Sequence, residues 1–384
     1  MENEFDSIEN AKCTTEATKI TELNTDCLEI IFEHLDFNDL IHVADSSKQF
    51  YGAVCQVYKR KYLNMNPILD IEYDPAYKYS NFLNQQVERD ALEQNPLVFI
   101  TKPIILLKLL RHFGHLIRNL GIDFWPLNMK LCVGIENYLA KYCSDSLQRF
   151  SLICNKSKIA FKDLQKPLKK VIALKIHTVI DQKQNHIQFL NESNLPNVQH
   201  IYITNHDGLH NSEKEIHYEN IESCTIESLR MDKFPFSFGN LKHFTLAGNI
   251  CLNDAFCQCI SKIEHLKTLK IMDMLIFDSD SFRKLLELQN ILSSVVEMQF
   301  SFEKGMSADA VLHFLKQSRS VRKLTIHLHN GRYRGDKTRD YFRMLQTISL
   351  NLNDEWKVYI IDPYRYPFNS IYDSECHVIE KMNI

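Results

Sequence analysis

A six-residue signature, apolar at its first, fourth and sixth positions, returns along most of the chain and sharply limits the folds open to it. It reads Ile117/Leu120/Ile122, Leu147/Phe150/Leu152, Val171/Leu174/Ile176 and Val198/Ile201/Ile203. It continues as Ile226/Leu229/Met231, Leu241/Phe244/Leu246, Leu266/Leu269/Ile271, Val295/Met298/Phe300 and Val321/Leu324/Ile326. Its last two apolar positions alternate as in a half-buried strand. Recurrence at a period of roughly 20–30 residues is the mark of a repeat architecture. The step from Leu229 to Phe244 is too short, so one of the two is out of register.

Helical patterns fill the intervals. Asn253 or Asp254 caps a helix carrying Phe256, Cys259, Ile260 and Ile263. Asp280 opens another with Phe282, Leu285 and Leu286, and Ser307 a third with Val311, Leu312, Phe314 and Leu315. Strand, helix, strand at this spacing predicts parallel strands joined by right-handed crossovers. Stacked in register they form an α/β solenoid in which each unit covers its neighbour's apolar edge. A doubly wound α/β domain would need a glycine-rich strand-to-helix turn, and none is present. The pattern resembles leucine-rich repeats of a degenerate kind. The asparagine or cysteine expected three residues after the last apolar one is kept at Asn155 and Asn249 and replaced at Trp125, His206, Met274 and Glu303. Asn249 favours Leu241/Phe244/Leu246 as the correctly registered unit.

The first sixty residues follow a different rule. Leu28, Ile31, Phe32 and Leu35 fall at i, i+3, i+4 and i+7 of a helix that Asn24 or Thr25 caps, with Asp26 and Glu29 in its first turn. Asn38 or Asp39 caps a second helix with Leu40, Val43 and Ala44, and Ser46 or Ser47 a third with Phe50, Val54 and Val57. Three helices this short predict docking on the rest of the chain or on a partner.

The run from Leu23 through Leu28, Ile31, Leu35-Asp36 and Asp39-Leu40 to Phe50 resembles the F-box signature. Asn24 stands where that family usually has proline, and Ser47-Lys48-Gln49-Phe50 where it often has Cys-Lys-Arg-Trp. The resemblance implies binding to the S-phase kinase-associated adaptor of cullin-based ubiquitin ligases. The expected contacts are Leu23, Leu28, Ile31, Leu35, Leu40, Val43 and Phe50. The resulting division is a lead-in over 1–19, the F-box over 20–62, a connector and N-terminal cap over 63–100, the solenoid over 101–361 and a tail over 362–384.

Other function classes find little support. The formal net charge is −3 and the pI near 6.6, so no global electrostatic footprint for nucleic acid or an anionic membrane is present. The polar N-terminus and the lack of a long apolar run predict a cytoplasmic or nuclear chain with cysteines as thiols. Cys257 and Cys259 are one residue apart, and His112/His115 and His327/His329 lack partners at zinc spacing, so neither metal nor cofactor is expected. Gly331–Thr338 lacks phosphate-loop spacing and reads as an exposed basic loop. No nucleophile–base pairing stands out, and no catalytic residue is expected.

What remains is the outward face of the strands, where side chains alternate with the core positions. His200, Tyr202, His243, Thr245, Thr268, Lys270, Glu297, Gln299, Lys323 and Thr325 are the candidate contacts for an unidentified target protein. The expected function is therefore a substrate-recognition subunit, with a ligase-independent repeat scaffold as the alternative.

Overall fold

The structure is a computed structural model and describes residues 19–71, 96–124, 127–155, 164–179, 193–205, 216–228, 236–247, 260–274, 293–302, 308–318, 320–329, 356–361 and 374–381, with positions 284, 288, 343, 346–348, 350 and 351. The lead-in to residue 18, most of the helices expected to begin at Asn253 and Asp280, and residues 331–338 lie outside the described residues; Ile260 and Ile263, at the end of the first of these helices, are described and buried. The chain divides into two compact units, Met1–Asn64 and Met65–Ile384.

In the first unit a 3-10 turn, Ile20–Glu22, precedes α1 (Thr25–Glu33), α2 (Phe37–Ser46) and α3 (Tyr51–Lys61). Asn24 caps α1, its side-chain oxygen accepting from the Cys27 N–H at 2.8 Å. That bond fixes the first turn where the F-box pattern usually relies on proline. The cap of α2 is Asp36, bonded to the Asp39 N–H at 2.8 Å, and not Asn38 or Asp39. Ser47 accepts from the Gln49 N–H at 3.2 Å in the turn before α3, but the helix itself begins after Phe50. Leu28, Phe32, Phe37, Leu40, Ile41, Val54, Val57 and Tyr58 are buried. Phe32 meets Phe50 edge-on with ring centres 5.5 Å apart, and Phe37 meets Tyr62 at 5.2 Å. Arg60 of α3 bridges Glu29 and Glu33 of α1 at 2.6 and 2.8 Å, and Lys61 donates to the Glu33 carbonyl at the end of α1 at 2.7 Å.

The second unit contains one 13-stranded sheet. Its strands are β1 (Asn66–Leu69), β2 (Leu97–Ile100), β3 (Asn119–Asp123), β4 (Arg149–Asn155), β5 (Ala173–Val179), β6 (His200–Asn205), β8 (Ser223–Ser228), β10 (His243–Ala247), β11 (Thr268–Met274), β12 (Glu297–Phe302), β13 (Lys323–His329), β14 (Trp356–Ile361) and β15 (Ser374–Lys381). Eleven run parallel, from β2 and β1 at one end to β13. β15 lies between β13 and β14 and runs antiparallel to both, so β14 shares the direction of the eleven. The connector thus supplies two strands, and the segment read as a tail supplies β15.

The strands stack in register, with one irregularity between Ile271 and Met274 where β11 meets β12. Leu120, Phe150, Leu174, Ile201, Cys224, Phe244, Leu269, Met298 and Leu324 form one buried row across the sheet. At each step from β4 to β13 one carbonyl accepts from two successive N–H groups of the next repeat. The Gln148 and Arg149 N–H groups converge on the Arg118 carbonyl at 2.7 and 3.0 Å, and the Arg322 and Lys323 N–H groups on the Val296 carbonyl at 2.8 and 3.2 Å.

An asparagine ladder adds a side-chain tie at a position other than the expected one. Asn197, Asn220 and Asn240 each precede the first apolar residue of a signature. They donate to the carbonyls of Lys169, Pro196 and Glu219 in the preceding repeat at 2.7, 3.2 and 2.9 Å. Because these side chains are exposed, Asn197→Ala is expected to lower stability by about 1 kcal/mol. A denaturant titration checks this, the midpoint falling at unchanged slope. An unmoved midpoint would mean that water replaces the amide at no cost.

The short step in the sequence has a structural cause. The signature of β8 is Ile221/Cys224/Ile226, not Ile226/Leu229/Met231, because Cys224 fills the fourth position and is buried. A thiol packs as a small hydrophobe. The steps into and out of Cys224 are then 23 and 20 residues. Such steps leave little room for a helix of three turns. Their return segments are instead β7 (Ile216–Tyr218) and β9 (Phe236–Phe238), paired in parallel as a small second sheet. Longer steps do carry helices: α4 (Pro103–Phe113), α5 (Met129–Tyr138) and α6 (Ala308–Gln317). Val311, Leu312, Phe314 and Leu315 of α6 are buried, as their spacing predicts.

Candidate functional site

Helix α1 carries two apolar faces. Burial of Leu28 and Phe32 sets its rotation, and Glu29 and Glu33 on its flank pair with Arg60 of α3. At roughly 100° per residue, Cys27, Ile30, Ile31 and His34 then lie on a second strip, again at i, i+3, i+4 and i+7. All four are exposed, Ile30 at 63% and Ile31 at 40%. Ile20 of the preceding turn is exposed at 46%. Isoleucines this bare beside a well-packed core mark a surface suited to a partner.

The expected contact set therefore separates. Ile31 lies on the exposed strip. Leu23, Leu35, Val43 and Phe50 are half-buried at its margins or elsewhere on the unit. Leu28 and Leu40 are interior, at 2% and 1% exposure, so they hold the fold and are not surface contacts. Ile20 and Ile30 were missed by the sequence reading. The signal was there, since Cys27, Ile30, Ile31 and His34 repeat the helical spacing one residue out of phase with the core stripe.

On the sheet of the second unit, the residues alternating with the core form rows on the opposite face. One row runs Asn119, Arg149, Ala173, His200, Ser223, His243, Thr268, Glu297 and Lys323. The next runs Gly121, Ser151, Lys175, Tyr202, Thr225, Thr245, Lys270, Gln299 and Thr325. Every candidate contact on this face falls in one of these two rows. Thr325 is nevertheless buried at 6% exposure, in a strand that β15 borders through the Thr325–Val378 pair. It does not belong to an open surface.

The two ends of this face differ. Toward β13 polar groups satisfy one another: Lys323 pairs with Glu297 at 3.2 Å, and His243 Nδ1 lies 3.1 Å from Thr268 Oγ1. Across β1 to β8 lies a hollow of about 250 Å³ lined by, among others, Arg149, Ser151, Lys175, His200 and Tyr202. The hollow exists because Gly121, Ser151 and Ala173 carry small side chains between larger neighbours. Lys175 Nζ stands 4.5 Å from the centre of the Tyr202 ring, and the Tyr202 hydroxyl donates to Glu227. Arg149, Ser151 and Lys175 were not among the candidate contacts, because their strands were recognised for their core positions alone.

Among the described residues no group of three or more His, Cys, Asp or Glu side chains could hold a metal ion. No described helix is long and apolar enough to cross a membrane. Burial pushes the Cys143 thiol up to about 12, so it is neutral near pH 7 and a poor nucleophile. Two surfaces, the α1 strip and the hollowed sheet face, are suited to binding. In comparison with known proteins, residues 20–62 match the family model of the F-box domain. No curated protein matches the chain.

Proposed function

We propose that this chain, whose residues 20–62 are an F-box domain, is the substrate-recognition subunit of a cullin-based ubiquitin ligase. The first unit docks on the S-phase kinase-associated adaptor, and the repeats, of a degenerate leucine-rich kind, hold a target protein. The observation that carries this reading is the exposed Ile30/Ile31 strip on α1, inside the matched domain and beside a core that is already filled. Such a subunit acts by raising the local concentration of target beside a separate enzyme. It needs no acid, base, nucleophile or cofactor of its own. Its place of action is the cytoplasm or the nucleus, where that machinery and reduced thiols coexist.

Co-purification of the full chain with the adaptor tests this. The wild-type chain is expected to retain the adaptor at micromolar concentration, and Ile31→Asp to weaken binding at least ten-fold. Ile31 is exposed, so the substitution leaves the unit folded, which a melting curve verifies. Failure of the wild-type chain to bind would leave the ligase-independent scaffold as the better reading.

A further inference from the structure

The hollow on the open face of the sheet has a composition that points to its ligand. Its lining brings together Arg149, Lys175 and His200 and includes no acidic side chain among the described residues. Adjacent strands stand about 4.8 Å apart, so Arg149 on β4 and His200 on β6, two strands away in one row, flank a gap of roughly 10 Å. The residue between them in that row is Ala173, too short to fill the gap. Lys175 lies two residues further along β5, in the next row, held over the Tyr202 ring. On the other side stands Ile68 of β1, part of an apolar cluster with Ile153, Leu97 and Phe99. Glu227, the acid on this face that the aromatic edge of the hollow meets, is bonded to the Tyr202 hydroxyl.

We infer that this hollow holds an anionic side chain of the bound protein, its carboxylate or phosphate oxygens set between Arg149, Lys175 and His200. The arrangement suits such a ligand because a guanidinium offers paired N–H donors and the lysine adds a point charge. The small floor of Gly121, Ser151 and Ala173 lets the anion approach the sheet. At the far end of the same face Lys323 pairs with Glu297 at 3.2 Å, and the hollow spans β1 to β8. The site therefore lies on the N-terminal half of the repeats. This inference rests on the reading of the repeats as a binding surface for a target.

The test uses the full chain in complex with the adaptor, probed with four degenerate peptide libraries whose fixed central residue is phosphoserine, aspartate, serine or lysine. The chain is expected to retain at least one acid-centred library ten-fold or more above the serine- and lysine-centred ones. The phosphoserine and aspartate arms tell which anion is preferred. Arg149→Glu and Lys175→Glu should each remove that preference, Arg149→Gln should reduce it, and Lys316→Glu, an exposed position on α6 outside both rows of the sheet face, should leave it intact. No preference for acid-centred peptides, or one untouched by Arg149→Glu, overturns the inference. Adaptor binding is read on the same preparations. Adaptor retained without acid preference defeats the hollow alone, whereas acid preference without adaptor defeats the ligase reading alone.

Discussion

Phe244→Ala is expected to destabilise the repeat unit by about 3–5 kcal/mol, while Thr245→Ala, one residue on, changes stability by less than about 0.5 kcal/mol. Phe244 is fully buried at the centre of the row that joins the repeats. Its neighbours in that row are Cys224 on one side and Leu269 on the other. The small thiol of Cys224 cannot expand into the space a phenyl ring leaves, so the site collapses poorly and keeps a cavity. Thr245 points to the other face and is half-exposed. In a stacked array each repeat leans on the next, so the lost contact also weakens coupling to both neighbours. Urea titration of both variants provides the check. Similar losses for the pair would mean that the alternation of faces assigned to β10 is shifted by one residue, since such a slip exchanges core and surface.

The register of the sheet was legible in the sequence because period-two alternation leaves one choice once the first and last apolar residues are known. The candidate contacts on the sheet fell in the two rows that alternate with the core, although Thr325 among them is buried. Two things defeated the reading. Cys224 sat in an apolar slot without looking apolar, which displaced one signature by five residues and hid the Ser223 and Thr225 rungs. The strand β15, far along the chain, pairs with β13 and encloses Thr325, a tertiary effect that local spacing does not encode. The hollow was illegible for a related reason. It arises where Gly121 and Ser151 pair in one row and Ala173 falls in the adjacent row of the next strand, and no single stretch of sequence shows that coincidence. In the first unit the helices and the Asn24 cap were readable. The rotation of α1 was not, because the stripe chosen from spacing mixed core and surface. The Glu29–Arg60–Glu33 pairs that accompany that rotation join residues about thirty positions apart.

A buried carboxyl supplies the second large effect and gives the repeat unit a pH dependence. Glu136 on α5 is 9% exposed, and its Oε1 has no hydrogen-bond partner among the described residues. Burial pushes its pKa up from 4.5 to about 7. An acid with a raised folded-state pKa binds more protons folded than unfolded between those two values. Stability is therefore unpenalised below about pH 4.5, falls as pH rises to about 7, and stays lowered above that. The full penalty is on the order of 3 kcal/mol. Glu136→Gln keeps the shape and removes the charge, so it should stabilise the unit by about that amount at pH 8 and by much less at pH 5. Urea titrations of the two proteins at both pH values decide the matter. An equal gain at pH 5 and pH 8 would mean that the benefit comes from packing or hydrogen bonding of the amide, and that the carboxylate at this position carries no desolvation cost.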